Sequence, residues 1–212
     1  MKKSLWVMIL ICSCHLLYAQ KTRFNFGAGA GVNFANISFK NGNHYFDLDP
    51  KLGFAGYVFL DLPVIHQFSL QNEIGYYNLG TFANNEKNAV NWRNETTSIN
   101  YLTISILPKI SVRNTGLSFL LGPSLGYKLS SKTTGGGLIV PDQSGGGTYI
   151  TDIFTPVDIF GIASVEYYLN MGLGISVRYL RGLTNIYDGS YGTPATIYNR
   201  AFIFTVNYRL FR

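Results

Sequence analysis

Charge is scarce in this 212-residue chain: Asp, Glu, Lys and Arg make up 13% of it, against about 25% in a typical soluble domain. So few charges leave much of the surface without a means of facing water. Cysteine is scarcer still, with Cys12 and Cys14 the two present. Both fall in an opening segment with a basic start (Lys2, Lys3), an apolar stretch (Leu5 to Ile11) and a junction at Tyr18-Ala19-Gln20. That is the form of a secretory signal peptide cut after Ala19. The expected organisation is a signal peptide over residues 1–19 and one domain over residues 20–212. A mature chain without cysteine has no disulfide, no thiolate metal site and no cysteine nucleophile. The same segment also allows a lipoprotein box at Ile11-Cys12-Ser13-Cys14 with Cys14 acylated, although an embedded barrel has no need of a lipid anchor.

Long apolar runs are missing too, since no stretch after the opening segment approaches the roughly 18 to 20 apolar residues of a spanning helix. Without Lys2 and Lys3 the chain holds 15 basic and 11 acidic residues, a net charge of +4. It has no basic run of the kind that follows a nucleic-acid backbone, so nucleic acid is not expected as a partner. His44 and His66 are the histidines that remain.

What the chain does have is aromatic residues, 15% of the total and nearly all Tyr and Phe, set in about eight runs of alternating polarity. Strands are expected near Phe24 to Ile37, Lys51 to Leu62, Gln67 to Leu79, Ser98 to Arg113, Leu117 to Ser130, Val157 to Leu169, Leu173 to Leu183 and Ala201 to Phe211. At 11 to 16 residues each could cross a bilayer at a tilt. Long polar connectors (Ser38 to Pro50, Gly80 to Thr97, Ser131 to Thr155, Thr184 to Asn199) alternate with short turns (Pro63 to His66, Asn114 to Gly116, Asn170 to Gly172). An up-and-down barrel with periplasmic termini puts its long connectors outside the cell and its tight turns inside. The expected fold is therefore an all-β transmembrane antiparallel barrel of about eight strands, in the cell outer membrane.

Period two distinguishes the faces. Phe202, Phe204, Val206, Tyr208 and Leu210 share one side of the last strand, and Ala201, Ile203, Thr205, Asn207 and Arg209 the other. Leu173, Ile175, Val177 and Tyr179 oppose Gly172, Gly174, Ser176, Arg178 and Gly182, while Phe68, Leu70, Ile74 and Tyr76 oppose Ser69, Gln71, Glu73, Gly75 and Tyr77. A soluble ligand-binding barrel keeps its apolar face inside. Here glycines and charges share the inner face, so the apolar face is the one turned to lipid. Aromatic residues near strand ends (Phe34, Phe54, Phe68, Tyr76, Tyr127, Tyr179) suit interfacial girdles.

The same parity puts Glu73, Lys109, Arg113, Glu166 and Arg178 on lumen faces. In a bore only just wide enough for its own side chains, buried charges must pair. A structural charge network that plugs the lumen is expected, and a proton or solute path is the rival. Gly27, Gly29 and Gly31 alternate with Phe26, Ala28, Ala30 and Val32 inside a strand, where they make room for larger neighbours; a phosphate-binding turn would sit between a strand and a helix. His44, Asp47 and Asp49 share the first outer loop, but His66 lies at the opposite end and no matched serine accompanies them. No catalytic, cofactor-binding or metal residue is therefore expected, and no cofactor. In the third outer loop the triplets Gly135-Gly136-Gly137 and Gly145-Gly146-Gly147 read as hinges around Leu138-Ile139-Val140-Pro141. A flexible loop is the plain reading, and a short strand pair or partner-binding tip the sharper one.

Seven segments together resemble the small PorT-like outer-membrane barrels of Bacteroidetes, the outer membrane protein beta-barrel domain. They are FGAGAGVNFANI (26–37), GFAGYVFLD (53–61), FSLQNEIGYYNLG (68–80), YLTISILPKI (101–110), LGPSLGYK (121–128), GIASVEY (161–167) and GLGISVRYLRGLTNI (172–186). The chain departs from the family at Thr103 and Ser105, where an acidic residue and a proline are usual, and at its Phe211-Arg212 end. The resemblance implies a porin-family barrel with a possible role in type IX protein secretion. The residues themselves suggest a non-enzymatic, monomeric barrel that is structural or binds a protein partner through its outer loops. Its expected associations are outer-membrane lipid and, during biogenesis, the barrel-assembly machinery. A small-solute channel and an outer-membrane hydrolase are further alternatives.

Overall fold

Alternating polarity makes one face of each strand soluble in lipid, but the backbone N–H and C=O groups still need partners. Within a bilayer that need is met by strands joined edge to edge into a closed cylinder. The computed structural model describes residues 24–40, 47–84, 95–134, 138–141, 147–150, 153–189 and 196–210. The expected signal peptide lies outside them.

The described strands are β1 (Asn25–Phe39), β2 (Asp47–Asp49), β3 (Lys51–Ile65), β4 (Phe68–Asn84), β5 (Glu95–Ser111), β6 (Leu117–Thr134), β7 (Leu138–Pro141), β8 (Gly147–Ile150), β9 (Val157–Tyr168), β10 (Leu173–Gly182) and β11 (Ile197–Arg209). Eight of them form a ring in the order β4-β3-β1-β11-β10-β9-β6-β5, which closes through β5 back onto β4. Every adjacent pair is antiparallel, and β1 lies against β11 from Gly27↔Arg209 to Phe39↔Ile197. The expected antiparallel barrel is present, with its first and last strands as neighbours.

Burial alternates along β10, where Leu173, Ile175, Val177 and Tyr179 are exposed and Gly174, Ser176, Arg178 and Leu180 are buried. The turns form where sequence permits a left-handed backbone: His66 has φ 37°, Asn114 62° and Gly172 88°.

Several strands run further than their apolar pattern suggests. The β4–β5 register continues past Gly80↔Ser98 to Ala83↔Glu95, and β6 continues to Thr134. Beyond the lipid both faces are polar, so the period-two contrast fades while the hydrogen-bonded pairing persists. β2 extends this outer part by pairing with β4. Inside the third outer loop, β7 and β8 pair from Leu138↔Ile150 to Pro141↔Gly147, so this segment holds a strand pair.

The bore has two layers. Toward the outer end the lumen residues are largely apolar, with Tyr77, Leu79, Ile99, Tyr101, Phe160 and Leu180 in one buried cluster. Residues 153–155 and 186–188 hydrogen-bond to each other and bring Phe154 and Ile186 into that cluster. Toward the periplasmic turns the lumen becomes polar and charged.

Candidate functional site

Four lumen charges each have a serine beside them on a neighbouring strand. Lys109 is opposite Ser69 and Glu73 opposite Ser105. Glu166 lies between Ser118 and Ser176, and Arg178 is opposite Ser164. A serine occupies little of the bore, so the longer neighbour can reach across instead of folding back along the wall.

The charged side chains meet near the barrel axis. Arg178 donates from Nη1 to Glu73 Oε2 at 2.7 Å and from Nη2 to Glu73 Oε1 at 2.9 Å. Nη2 also reaches Glu166 Oε1 at 3.0 Å. Lys109 Nζ donates to Glu166 Oε2 at 2.9 Å and to Gln71 Oε1 at 2.8 Å, and lies 3.4 Å from Asp61 Oδ2. Gln71 Nε2 in turn donates to Glu73 Oε1 at 2.7 Å. Both cations are wholly buried and no carboxylate of the group is more than 4% exposed.

Aromatic rings support this arrangement. The Arg178 guanidinium lies 3.8 Å from the Tyr57 ring centroid, close enough for a cation–π contact. Tyr57 Oη donates to Asn207 Oδ1 at 2.7 Å on the far side of β1. It can cross β1 because Gly29 presents no side chain: a Cβ there would lie 2.6 Å from Tyr57 Cζ. Gly27 makes room for Phe59 in the same way, whereas Gly31 lies against the backbone of Phe204 and Thr205. Three carboxylates face two cations in the cluster. A third cation, Arg209, is half-buried with its guanidinium 3.5 Å from the Tyr168 centroid, and Lys109 Nζ is 5.5 Å from that same ring.

Four of the five charges expected in the lumen, Glu73, Lys109, Glu166 and Arg178, are therefore brought together. The fifth is not. Arg113 was expected to face the lumen at the end of the fourth strand, but β5 ends at Ser111 and Arg113 is exposed in the following turn. Asn114 at φ 62° and Gly116 at φ 75° start the reversal earlier than polarity alone indicates. Asp61 and Gln71 are the network members that charge pairing on the sequence missed. Parity could have found Asp61, which continues the inward series Ala55, Tyr57 and Phe59 on β3.

Within this network each carboxylate has a cation within ion-pair distance. Among the described residues no three His, Cys, Asp or Glu side chains are grouped as a metal ion requires. His44 lies outside the described residues, and Asp49 is exposed on β2.

The sequence profile of the outer membrane protein beta-barrel domain matches residues 18–188. The chain belongs to that family. This outer-membrane barrel protein is also similar in fold to several solved barrels. Neisserial surface protein A shares 13% identity over 88% of this chain and 97% of that one, with a TM-score of 0.47. Ail, the attachment invasion locus protein of Yersinia pestis, solved with the heparin analogue sucrose octasulfate, shares 9% over 90% and 100%, TM-score 0.48. OprG from Pseudomonas aeruginosa shares 8% over 89% and 97%, TM-score 0.43. No curated protein matches the sequence. The family match ends before β11, the strand that completes the barrel against β1.

Proposed function

We propose that this outer-membrane barrel is non-enzymatic and monomeric, that its lumen is plugged by the Glu73–Arg178–Glu166–Lys109 network, and that it acts structurally or by presenting its outer loops to a protein partner. The observation that carries this reading is the bidentate Arg178–Glu73 pair, which joins β10 to β4 across the bore. Below the apolar outer layer, a solute would have to break this pair and the Lys109–Glu166 contact to pass. Leaving any of these charges uncompensated in the interior costs about 3–5 kcal/mol. The structural role assigned to these residues is to bind opposite walls and hold register. The loop-borne role draws support from the β7–β8 strand pair in the third outer loop, a backbone unit that includes the apolar segment Leu138-Ile139-Val140-Pro141.

Planar-bilayer recording tests the closed lumen: purified protein is expected to insert without discrete current steps, and reproducible unitary steps would overturn the plug. Replacing residues 135–151 by a short glycine-serine linker tests the loops. The barrel is expected to fold as before while a partner captured by the whole protein is lost.

A second reading, an accessory part in type IX protein secretion, rests on the resemblance of the seven strand segments to PorT-like barrels. A clean deletion strain compared with its parent and a complemented strain decides it, by selective loss of secreted type IX cargo that complementation restores.

A further inference from the structure

Three cations that the lumen network does not use gather on the outside wall. Lys40 directly follows β1, Arg181 lies near the end of β10 and Arg200 near the start of β11. Ser38, Lys40, Tyr198, Arg200 and Arg181 continue the outward series of those strands, and Lys40 and Arg200 are exposed. The order β1-β11-β10 makes the strands neighbours. Their register sets Arg181 directly opposite Arg200 and Ser38 opposite Tyr198.

Like charges directly opposite on one face of a sheet repel. Among the described residues no carboxylate lies within ion-pair distance of Lys40, Arg181 or Arg200. The Arg181 guanidinium instead sits 5.6 Å from the Tyr198 ring centroid, which holds it against the wall. The three cations line an open groove of about 410 Å³. A mainly apolar groove of about 370 Å³, lined by Phe34, Tyr179 and Phe202, adjoins it toward the membrane centre, and Arg200 belongs to both. The rings of Tyr179 and Phe202 are 5.0 Å apart at their centroids.

We infer that these two adjoining grooves together bind a phosphorylated glycolipid of the outer leaflet, with its phosphate on Lys40, Arg181 and Arg200 and an acyl chain along Phe34, Tyr179 and Phe202. Three arguments support the choice. The grooves lie at the ends of strands that lead into long connectors, the extracellular side, where outer-leaflet headgroups sit. Two neighbouring guanidinium groups present paired donors suited to phosphate oxygens, which a lysine pair would not. The groove shares Arg200 with a mainly apolar one on the lipid-facing wall, which a free inorganic anion has no use for. Binding would also relieve the repulsion between Arg181 and Arg200.

The test uses refolded protein spanning residues 20–212 in detergent and counts retained lipid by native mass spectrometry. Bisphosphorylated lipid A, its dephosphorylated form and inorganic phosphate are the probes. Wild type is expected to retain the bisphosphorylated lipid at least tenfold better than the dephosphorylated one, and millimolar inorganic phosphate should not displace it. The triple variant K40Q/R181Q/R200Q is expected to lose that preference, while Lys132→Gln on β6 keeps it. Heat-dependent gel migration shows which variants are folded; should the triple variant fail to fold, the comparison of the two lipids on wild type decides. Equal retention of the two lipids, undiminished retention by a folded triple variant, or ready displacement by inorganic phosphate, which would make the groove a free-anion site, each overturns the inference.

Discussion

Arg178 and Glu73 stand on opposite walls of the barrel, four strands apart in a ring of eight, and meet through two hydrogen bonds of 2.7 and 2.9 Å. A bidentate guanidinium–carboxylate pair is directional as well as strong. Its two bonds tie β10 to β4 at one depth, so it acts on register as well as on charge balance.

Removing one partner should cost far more than removing both. Glu73→Leu and Arg178→Met are each expected to lower unfolding stability by about 3–5 kcal/mol because each leaves a buried charge without its bidentate partner, whereas E73L/R178M should cost less than either single change. Urea unfolding of the refolded barrel in lipid vesicles gives all three values. A double variant as unstable as the sum of the singles would show that the two residues are not coupled.

Lys109 and Arg113 lie four residues apart and should behave oppositely. Lys109→Met strips Glu166 and Asp61 of their shared cation and is expected to cost about 3–5 kcal/mol. Arg113→Gln, in an exposed turn, should stay within about 0.5 kcal/mol of wild type. The same unfolding experiment tests both, and a large loss at Arg113 would place that side chain in the bore after all.

Gly29 has no room for a side chain, since an added Cβ would press on Asn207 Oδ1 and Tyr57 Cζ. Gly29→Val should therefore destabilise by about 1–3 kcal/mol through overpacking. Part of the loss should return in G29V/Y57A, where the clashing ring is gone. No recovery would mean that the strain lies in the backbone instead.

The lipid-facing wall can be probed by depth. Val177→Arg, midway along β10, is expected to cost about 2–4 kcal/mol, while Leu173→Arg near the periplasmic turn should cost about 0–1 kcal/mol. Equal costs at the two depths, measured by unfolding from bilayers of fixed thickness, would contradict the placement of β10 across the membrane.

Much of this molecule is legible in the order of its residues because a barrel strand carries its environment at period two. Leu173, Ile175 and Val177 against Gly174, Ser176 and Arg178 identify lipid and lumen without any reference to partners, and the spacing of long and short connectors identifies outside and inside. Those are local properties. The strand ends are less legible: the β4–β5 pairing outlasts the apolar band, and turn-forming Asn114 and Gly116 remove Arg113 from the strand that polarity had assigned to it.

Partnership is where the sequence by itself stops. Parity alone says that Glu73, Lys109, Glu166 and Arg178 face inward, but closure of the ring and its register decide that Arg178 takes Glu73 in two bonds and that Lys109 gathers Gln71, Glu166 and Asp61. The gathering of Lys40, Arg181 and Arg200 depends likewise on β11 returning to lie between β1 and β10. Alternation is a property of neighbouring residues in the chain. Contact across the bore, or across three strands on its outer wall, is a property of closure, and only the tertiary structure supplies it.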